Sequence, residues 1–112
     1  MGISFYIGDE QVDLTNAYFF NSFLNWVAEQ GECPQILDHS PVQGSYLPDD
    51  GAPPGMYSGS VQRLQGEVER LLKRNPPDYA EYVLKQMLKG TRLALKEGRK
   101  ITMDDGAWDG DE

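Results

Sequence analysis

The chain of 112 residues lies in the size range of a single domain, and its 39% hydrophobic and 25% charged residues are ordinary for a globular protein. Its apolar stretches fall far short of the ~18–20 residues that a membrane span requires, and its one cysteine excludes an internal disulfide. With a net charge of −8 and an N-terminus that lacks a secretory pattern, these features predict a soluble cytoplasmic protein that has no membrane role.

The N-terminal part of the chain predicts two strands followed by a helix. ISFYI places Ile3, Phe5 and Ile7 on one side, which is the pattern of a half-buried strand, and QVDL predicts a short second strand. The period becomes helical over TNAYFFNSFLNWVAEQG, where Thr15 or Asn16 can cap the first turn. One face of this helix carries an aromatic core stripe, which consists of Phe19, Phe20, Phe23, Leu24, Trp26 and Val27.

Residues 32–59 predict a long, ordered segment without regular structure. The stretch 39–60 holds four of the seven prolines and four of the twelve glycines, a composition that disfavours both a helix and a central strand. CPQIL near the start predicts a short edge strand, because proline is tolerated in a sheet only at an edge or a strand start. Connections of this length are uncommon in compact domains and are often functional.

A second helix is predicted from Ser60 onward. One side of this helix is an apolar stripe. The opposite side is expected to face solvent and carries Arg63/Glu67 and Glu69/Lys73 as (i, i+4) pairs. The following NPP ends this helix, since neither proline can continue it. The stripe consists of Val61, Leu64, Val68, Leu71 and Leu72.

A third helix begins at Asp78, which forms a capping box with Glu81, and it ends at Gly98. Gly90 and Ala94 lie one turn apart on its apolar face, so another helix could approach closely there. The opposite side is the basic face, which consists of Lys85, Lys89, Arg92, Lys96 and Arg99. KITM after the helix predicts a closing strand that pairs with the first strand.

These elements predict one α+β domain over residues 1–103, with a small, mainly antiparallel sheet near both termini packed against about three helices, and an acidic tail over residues 104–112.

Charge is unevenly distributed along the chain. The first 60 residues carry eight acids and no Lys or Arg, residues 61–103 carry ten basic residues and five acids, and the tail carries five acids. This asymmetry indicates either a charged partner or two halves that neutralise each other within the fold.

No pattern in the chain predicts catalysis or a bound cofactor. A nucleophilic Cys33 would need a base such as His39, but Pro34 follows the cysteine directly and no helix N-terminus is expected beside the thiol. The acids near His39 and in the tail lack the spacing of metal ligands, and GMYSGS lacks the lysine of a phosphate-binding loop. We therefore expect a protein that is not an enzyme and that holds no cofactor or metal.

The leading hypothesis is that the long segment binds another protein. Tyrosines beside glycines and acids are typical of recognition surfaces. Tyr46 and Tyr57 are expected to act as aromatic anchors. The complete set of expected interface residues is Asp38, His39, Tyr46, Asp49, Asp50 and Tyr57, with Trp108 of the acidic tail as a second contact.

The basic face supports two alternatives. Its five cations could bind a polyanion by neutralising phosphates. However, the net charge opposes such a ligand, and no aromatic residue lies among the cations to stack on bases, so nucleic acid is not the expected partner. The other alternative is a structural protein that forms a homo-oligomer, in which the acidic half of one copy meets the basic face of the next.

The stretches MGISFYIG, LDHSPVQGSY and SVQRLQGEVERLL resemble small bacterial or phage proteins that are classed as immunity proteins for polymorphic toxins. The resemblance lies in a short strand, a polar His-Ser loop that reaches a glycine and an aromatic residue, and a later helix with an L-x-x-E-L-like pattern. It implies an inhibitor that blocks a toxin by binding it and does no chemistry of its own. The acidic charge would accelerate association with a basic toxin or nuclease.

Overall fold

The computed structural model describes residues 2–38, 45–48 and 58–105. Within them the chain forms a five-stranded sheet and four helices, which confirms the predicted α+β class. None of these helices is long and apolar enough to cross a membrane. The elements are β1 (Gly2–Ile7), β2 (Glu10–Asn16), α1 (Ala17–Ala28), α2 (Pro34–Leu37), β3 (Ser45–Leu47), β4 (Ser58–Ser60), α3 (Val61–Leu72), α4 (Asp78–Glu97) and β5 (Ile101–Asp105).

The sheet has the strand order β2-β1-β5-β3-β4, and all its pairings are antiparallel except the one between β3 and β4. In the centre, Phe5 of β1 lies opposite Val12 of β2 and Met103 of β5. The first and last strands are therefore neighbours, as the sequence predicts. Strand β5 continues through Asp105, so two residues that were assigned to the acidic tail belong to the sheet.

Helix α4 packs against the inner face of β1. Ile3, Phe5 and Ile7 are all buried, in agreement with their alternating pattern. Gly90 of α4 lies so close to this strand that a Cβ atom there would stand 2.8 Å from Cδ2 of Phe5. The close approach at Gly90 is thus made by side chains of the sheet, at the position where the sequence would allow another helix to approach.

The helices begin and end near the residues that the sequence predicts as caps, except at the start of α4. The side chains of Asn16 and Ser60 cap α1 and α3 by accepting backbone N–H groups. Pro77 is the N-cap of α4 and makes no side-chain cap bond, so Asp78 is the first helical residue rather than the cap of a capping box. Its carboxylate stands at the positive end of the helix dipole. Gly98 ends α4 with a left-handed φ of 66°.

Residues 32–59 contain more regular structure than the sequence predicts. PQIL forms helix α2 and not an edge strand, because Pro34 occupies the first helical position, where its missing N–H breaks no intrahelical bond. Strand β3 lies inside the sheet, between β5 and β4. Gly59 of β4 makes this packing possible, since a Cβ atom there would lie 2.6 Å from Oε1 of Gln35 and 2.8 Å from Cδ1 of Tyr46.

Candidate functional site

Tyr46 belongs to the core. Its side chain is 0% exposed, its hydroxyl donates to the carbonyl of Gln35 at 2.9 Å, and its ring meets that of Phe5 edge-on, with 6.1 Å between centroids. The prediction that Tyr46 anchors a partner is therefore wrong. The cause is the placement of β3 inside the sheet, which turns its central side chain into the buried layer.

Asp38 is the other expected interface residue that the structure describes. It is exposed and ends α2, where its N–H donates to the carbonyl of Pro34 at 2.8 Å. This position is compatible with the predicted role. The remaining expected contacts lie outside the described residues: His39, Asp49, Asp50, Tyr57 and Trp108. Their role stays a prediction.

A buried carboxylate from α3, which the sequence assigned to the solvent face, holds α2 in place. Glu67 is 6% exposed, and its two oxygens accept the N–H groups of Gln35 at 2.8 Å and Ile36 at 3.0 Å. Helix α2 lacks a cap of its own, because the side chain of Cys33 at its N-cap makes no such bond. Burial raises the pKa of Glu67, while the two N–H groups and the Arg70 guanidinium oppose the rise.

Cys33 is a buried free thiol at the start of α2, so the expectation that no helix N-terminus lies beside it is wrong. The guanidinium of Arg70 donates to the carbonyl of Glu32 at 2.7 Å and approaches Sγ of Cys33 at 3.5 Å. Cys33 is 2% exposed and lines a pocket of about 400 Å³ at the start of α2. Across the described ranges, no group of three or more His, Cys, Asp or Glu side chains could hold a metal ion.

The five cations of the basic face are all exposed. Lys85 pairs with Glu81 of the same helix at 3.3 Å, and Arg99 pairs with Glu97 at 3.1 Å. The Arg99 side chain also lies over the turn between β1 and β2, where a Cβ atom on Gly8 would stand 2.6 Å from its Nη1. The face therefore has the exposure that its predicted role requires, and one of its ends reaches the N-terminal hairpin.

Exposed aromatic side chains form a feature that sequence reasoning missed. Tyr18 is 75% exposed and Phe19 43% exposed in the first turn of α1, and their rings meet edge-on with 5.3 Å between centroids. Tyr82 of α4 is 54% exposed. The sequence places Phe19 in the core stripe, of which Phe20, Phe23 and Val27 are buried in the structure. Because the helical pattern gives the width of the apolar face only approximately, it could not separate Phe19 from this stripe.

A β-bulge interrupts the pairing of β1 with the edge strand β2. Ile3 lies opposite Thr15 and Ser4 opposite Asp13, which leaves Leu14 as an extra residue. Bulges of this kind redirect neighbouring side chains and are common beside functional sites. A pocket of about 440 Å³ opens at this bulge. It is lined by Gly2, Ile3, Ser4, Tyr6, Gln11, Asp13, Leu14, Thr15 and Tyr82.

Asp13 is held firmly within this pocket. One carboxylate oxygen, Oδ1, accepts the Ser4 hydroxyl and the Gln11 side-chain amide, each at 2.8 Å. The backbone carbonyl of Asp13 accepts the side-chain amide of Gln86 of α4, also at 2.8 Å. Both the bulge and the carboxylate that it presents are therefore fixed by side chains from the two neighbouring elements.

Comparison of the chain with protein-family models, with curated proteins and with solved structures finds no match. The choice between the exposed aromatic side chains, the pocket at Asp13 and the basic face therefore depends on their own geometry and charge.

Proposed function

We propose that this protein binds another protein and performs no chemistry itself, in the manner of an inhibitor or immunity protein. The observation that carries the proposal is that three aromatic side chains are exposed: Tyr18 and Phe19, whose rings meet in the first turn of α1, and Tyr82 of α4, which lines a pocket together with Asp13. We refer to these four residues together as the aromatic-acidic surface. Tyr, Trp and Phe are the residue types enriched in the buried centres of protein interfaces.

The free energy available at the Tyr18–Phe19 pair supports this choice. Covering both rings would remove on the order of 200 Å² of apolar surface from water, which corresponds to about 5 kcal/mol before the costs of association. Their edge-on contact orders the two rings before a partner arrives, so less rotamer entropy is lost on binding. A gain from covering aromatic rings is not available on the basic face, where binding would depend on charge neutralisation instead.

Charge indicates the kind of partner. The chain carries a net charge of −8, and its first 60 residues, which include the elements of the aromatic-acidic surface other than Tyr82, hold no Lys or Arg. Asp9, Glu10 and Asp13 of the β1–β2 hairpin are all exposed. An acidic field of this kind accelerates encounter with a basic protein. A basic toxin or nuclease is accordingly the partner class that we propose.

Affinity capture from a lysate of the source cells tests the proposal, with wild type compared with a Tyr18→Ala, Phe19→Ala double variant. Both residues are exposed, so the variant should retain the thermal melting temperature of wild type. We expect wild type to capture a basic protein that the variant loses. With the purified pair, calorimetric titration should give a dissociation constant at least about tenfold weaker for the variant.

Leu37→Ala is the matched control, because Leu37 is a similarly exposed apolar residue outside the aromatic-acidic surface. It should bind the captured protein as wild type does. An immunity role further requires that the captured protein inhibits growth when expressed alone and is neutralised by coexpression of this chain. Equal capture by wild type and the double variant, or capture of acidic proteins only, would contradict the proposal.

A further inference from the structure

The pocket at the β-bulge contains the Asp13 carboxylate, of which one oxygen accepts hydrogen bonds from described residues and the other accepts none. Oδ1 of Asp13 receives both the Ser4 hydroxyl and the Gln11 amide. Oδ2 has no hydrogen-bond donor or cation among the residues that the structure describes. Ser4, which orients the carboxylate, is only 4% exposed, so this arrangement is built into the sheet and is not a chance surface contact.

Two tyrosines line the same pocket as this carboxylate. Tyr82 and Tyr6 both line the pocket, and Tyr82 is 54% exposed. Tyr82 precedes Gln86 by one turn of α4, and Gln86 is bonded to the backbone carbonyl of Asp13. The helix that carries the ring of Tyr82 is therefore bonded directly to the bulge that carries the carboxylate.

We propose that this pocket receives an arginine side chain of the partner protein. The inference rests on the proposed function, and it names the residue type that the basic partner would insert. A planar guanidinium can donate to the open Oδ2 of Asp13 while it stacks on the ring of Tyr82. An arginine side chain thus supplies a positive charge for the Asp13 carboxylate and a planar group that covers the exposed ring of Tyr82. The compact, strongly hydrated ammonium of lysine matches the ring less well.

Two-dimensional ¹H–¹⁵N NMR titration with N-acetyl-arginine amide as the probe tests this assignment. We expect shifts that concentrate on the backbone amides of Ser4, Gln11, Asp13, Thr15 and Tyr82. Asp13→Asn keeps the size of the side chain and an acceptor for Ser4, but it removes the charge. It should weaken binding about tenfold, because a charge-assisted hydrogen bond is lost. Tyr82→Ala should weaken binding about two- to fivefold.

Glu29→Gln is the matched control. Glu29 is exposed at the C-terminal end of α1 and does not line the pocket, so its replacement should change affinity less than about twofold. N-acetyl-lysine amide is the control probe and should bind more weakly than the arginine probe. The assignment is overturned if Asp13→Asn and Glu29→Gln weaken binding equally, if the shifts spread over all the acids, or if the lysine probe binds as tightly.

The partner captured under the proposed function separates the two claims. If this partner binds wild type and Asp13→Asn with equal affinity, the pocket assignment fails while the proposed function stands. If no basic protein is captured but the arginine probe still binds the pocket and loses affinity in Asp13→Asn, the proposed function fails while the guanidinium site stands.

Discussion

Glu67 joins helix α3 to the first two free amide groups of α2, and its replacement should therefore loosen the start of that helix. In Glu67→Gln one carbonyl oxygen remains as an acceptor, but the new NH₂ group faces a buried backbone N–H that it cannot satisfy. We expect the free energy of unfolding to fall by about 1–3 kcal/mol, measured by urea denaturation. Glu69→Gln on the exposed side of the same helix should change it by less than about 0.5 kcal/mol.

The loss of unfolding free energy in Glu67→Gln should depend on pH. Because the pKa of Glu67 is raised in the folded state, the folded protein holds this proton more tightly than the unfolded chain does. The resulting stabilisation is complete at pH values below 4.5, the usual pKa of a glutamate carboxyl group. It is lost as pH rises through the raised pKa of Glu67 in the folded protein. The stability difference between wild type and Glu67→Gln should therefore narrow as pH increases over that interval. A difference that widens with pH would show that the ionised carboxylate is the stabilising form.

At the level of elements, two helical glycines should respond in opposite directions to the same substitution. A Cβ atom at Gly90 would stand 2.8 Å from Phe5, and both groups lie in the packed layer between α4 and β1. Gly90→Ala should therefore lower the free energy of unfolding by about 1–3 kcal/mol. Gly66 of α3 has no atom within 4 Å of the same position, so Gly66→Ala should raise it by about 0.5–1 kcal/mol.

Urea denaturation of the two variants checks this pair directly. Both replacements increase helix propensity, so any difference in sign must come from the tertiary contact at Gly90. If Gly90→Ala were as stabilising as Gly66→Ala, the close packing of α4 on β1 would not exist as described. In a Gly90→Ala, Phe5→Leu double variant the loss of unfolding free energy should be smaller than the sum of the two single losses, because the smaller side chain leaves room for the added methyl group.

Elements with their own local signals were predicted correctly, and those that depend on distant partners were not. The alternation in β1 and the Asn16 cap of α1 are readable within a few residues, and both are present. Helix α2 was missed because its acceptors come from Glu67, about thirty residues later in the chain, and not from a cap of its own. The (i, i+4) spacing from Arg63 made the same glutamate look like a solvent-facing residue. One long-range contact thus accounts for both errors.

The candidate site was less predictable than the fold. Residue types within the long segment predict its contacts, and this prediction is wrong at Tyr46, which the sheet buries. The pocket at Asp13 depends on the bulge at Leu14 and on the bond from Gln86, which lies 73 residues away in sequence. No local pattern encodes a register shift of this kind, since QVDLTN reads as an uninterrupted strand.

At the scale of the whole molecule, the fold brings basic side chains against the backbone of the acidic half. Arg70 and Arg74 of the basic half donate to the backbone carbonyls of Glu32 and Gln30 in the acidic half. Arg99 lies over the hairpin turn that precedes the acids at positions 9 and 10. These contacts join the two halves through backbone carbonyls, which carry no net charge, so they do not neutralise the acids. The net charge of −8 therefore remains on every copy and opposes self-association.

We therefore expect the protein to be monomeric at both about 20 mM and about 300 mM NaCl, as measured by light scattering coupled to size exclusion. Copies that share a net charge of −8 repel one another most strongly at the lower salt concentration, so association should be least favoured there. An oligomer that forms at low salt and dissociates at high salt would contradict this and support the homo-oligomer alternative. In that case Lys89→Glu, Arg92→Glu should abolish the oligomer, because both exposed cations would face the acidic half of the next copy.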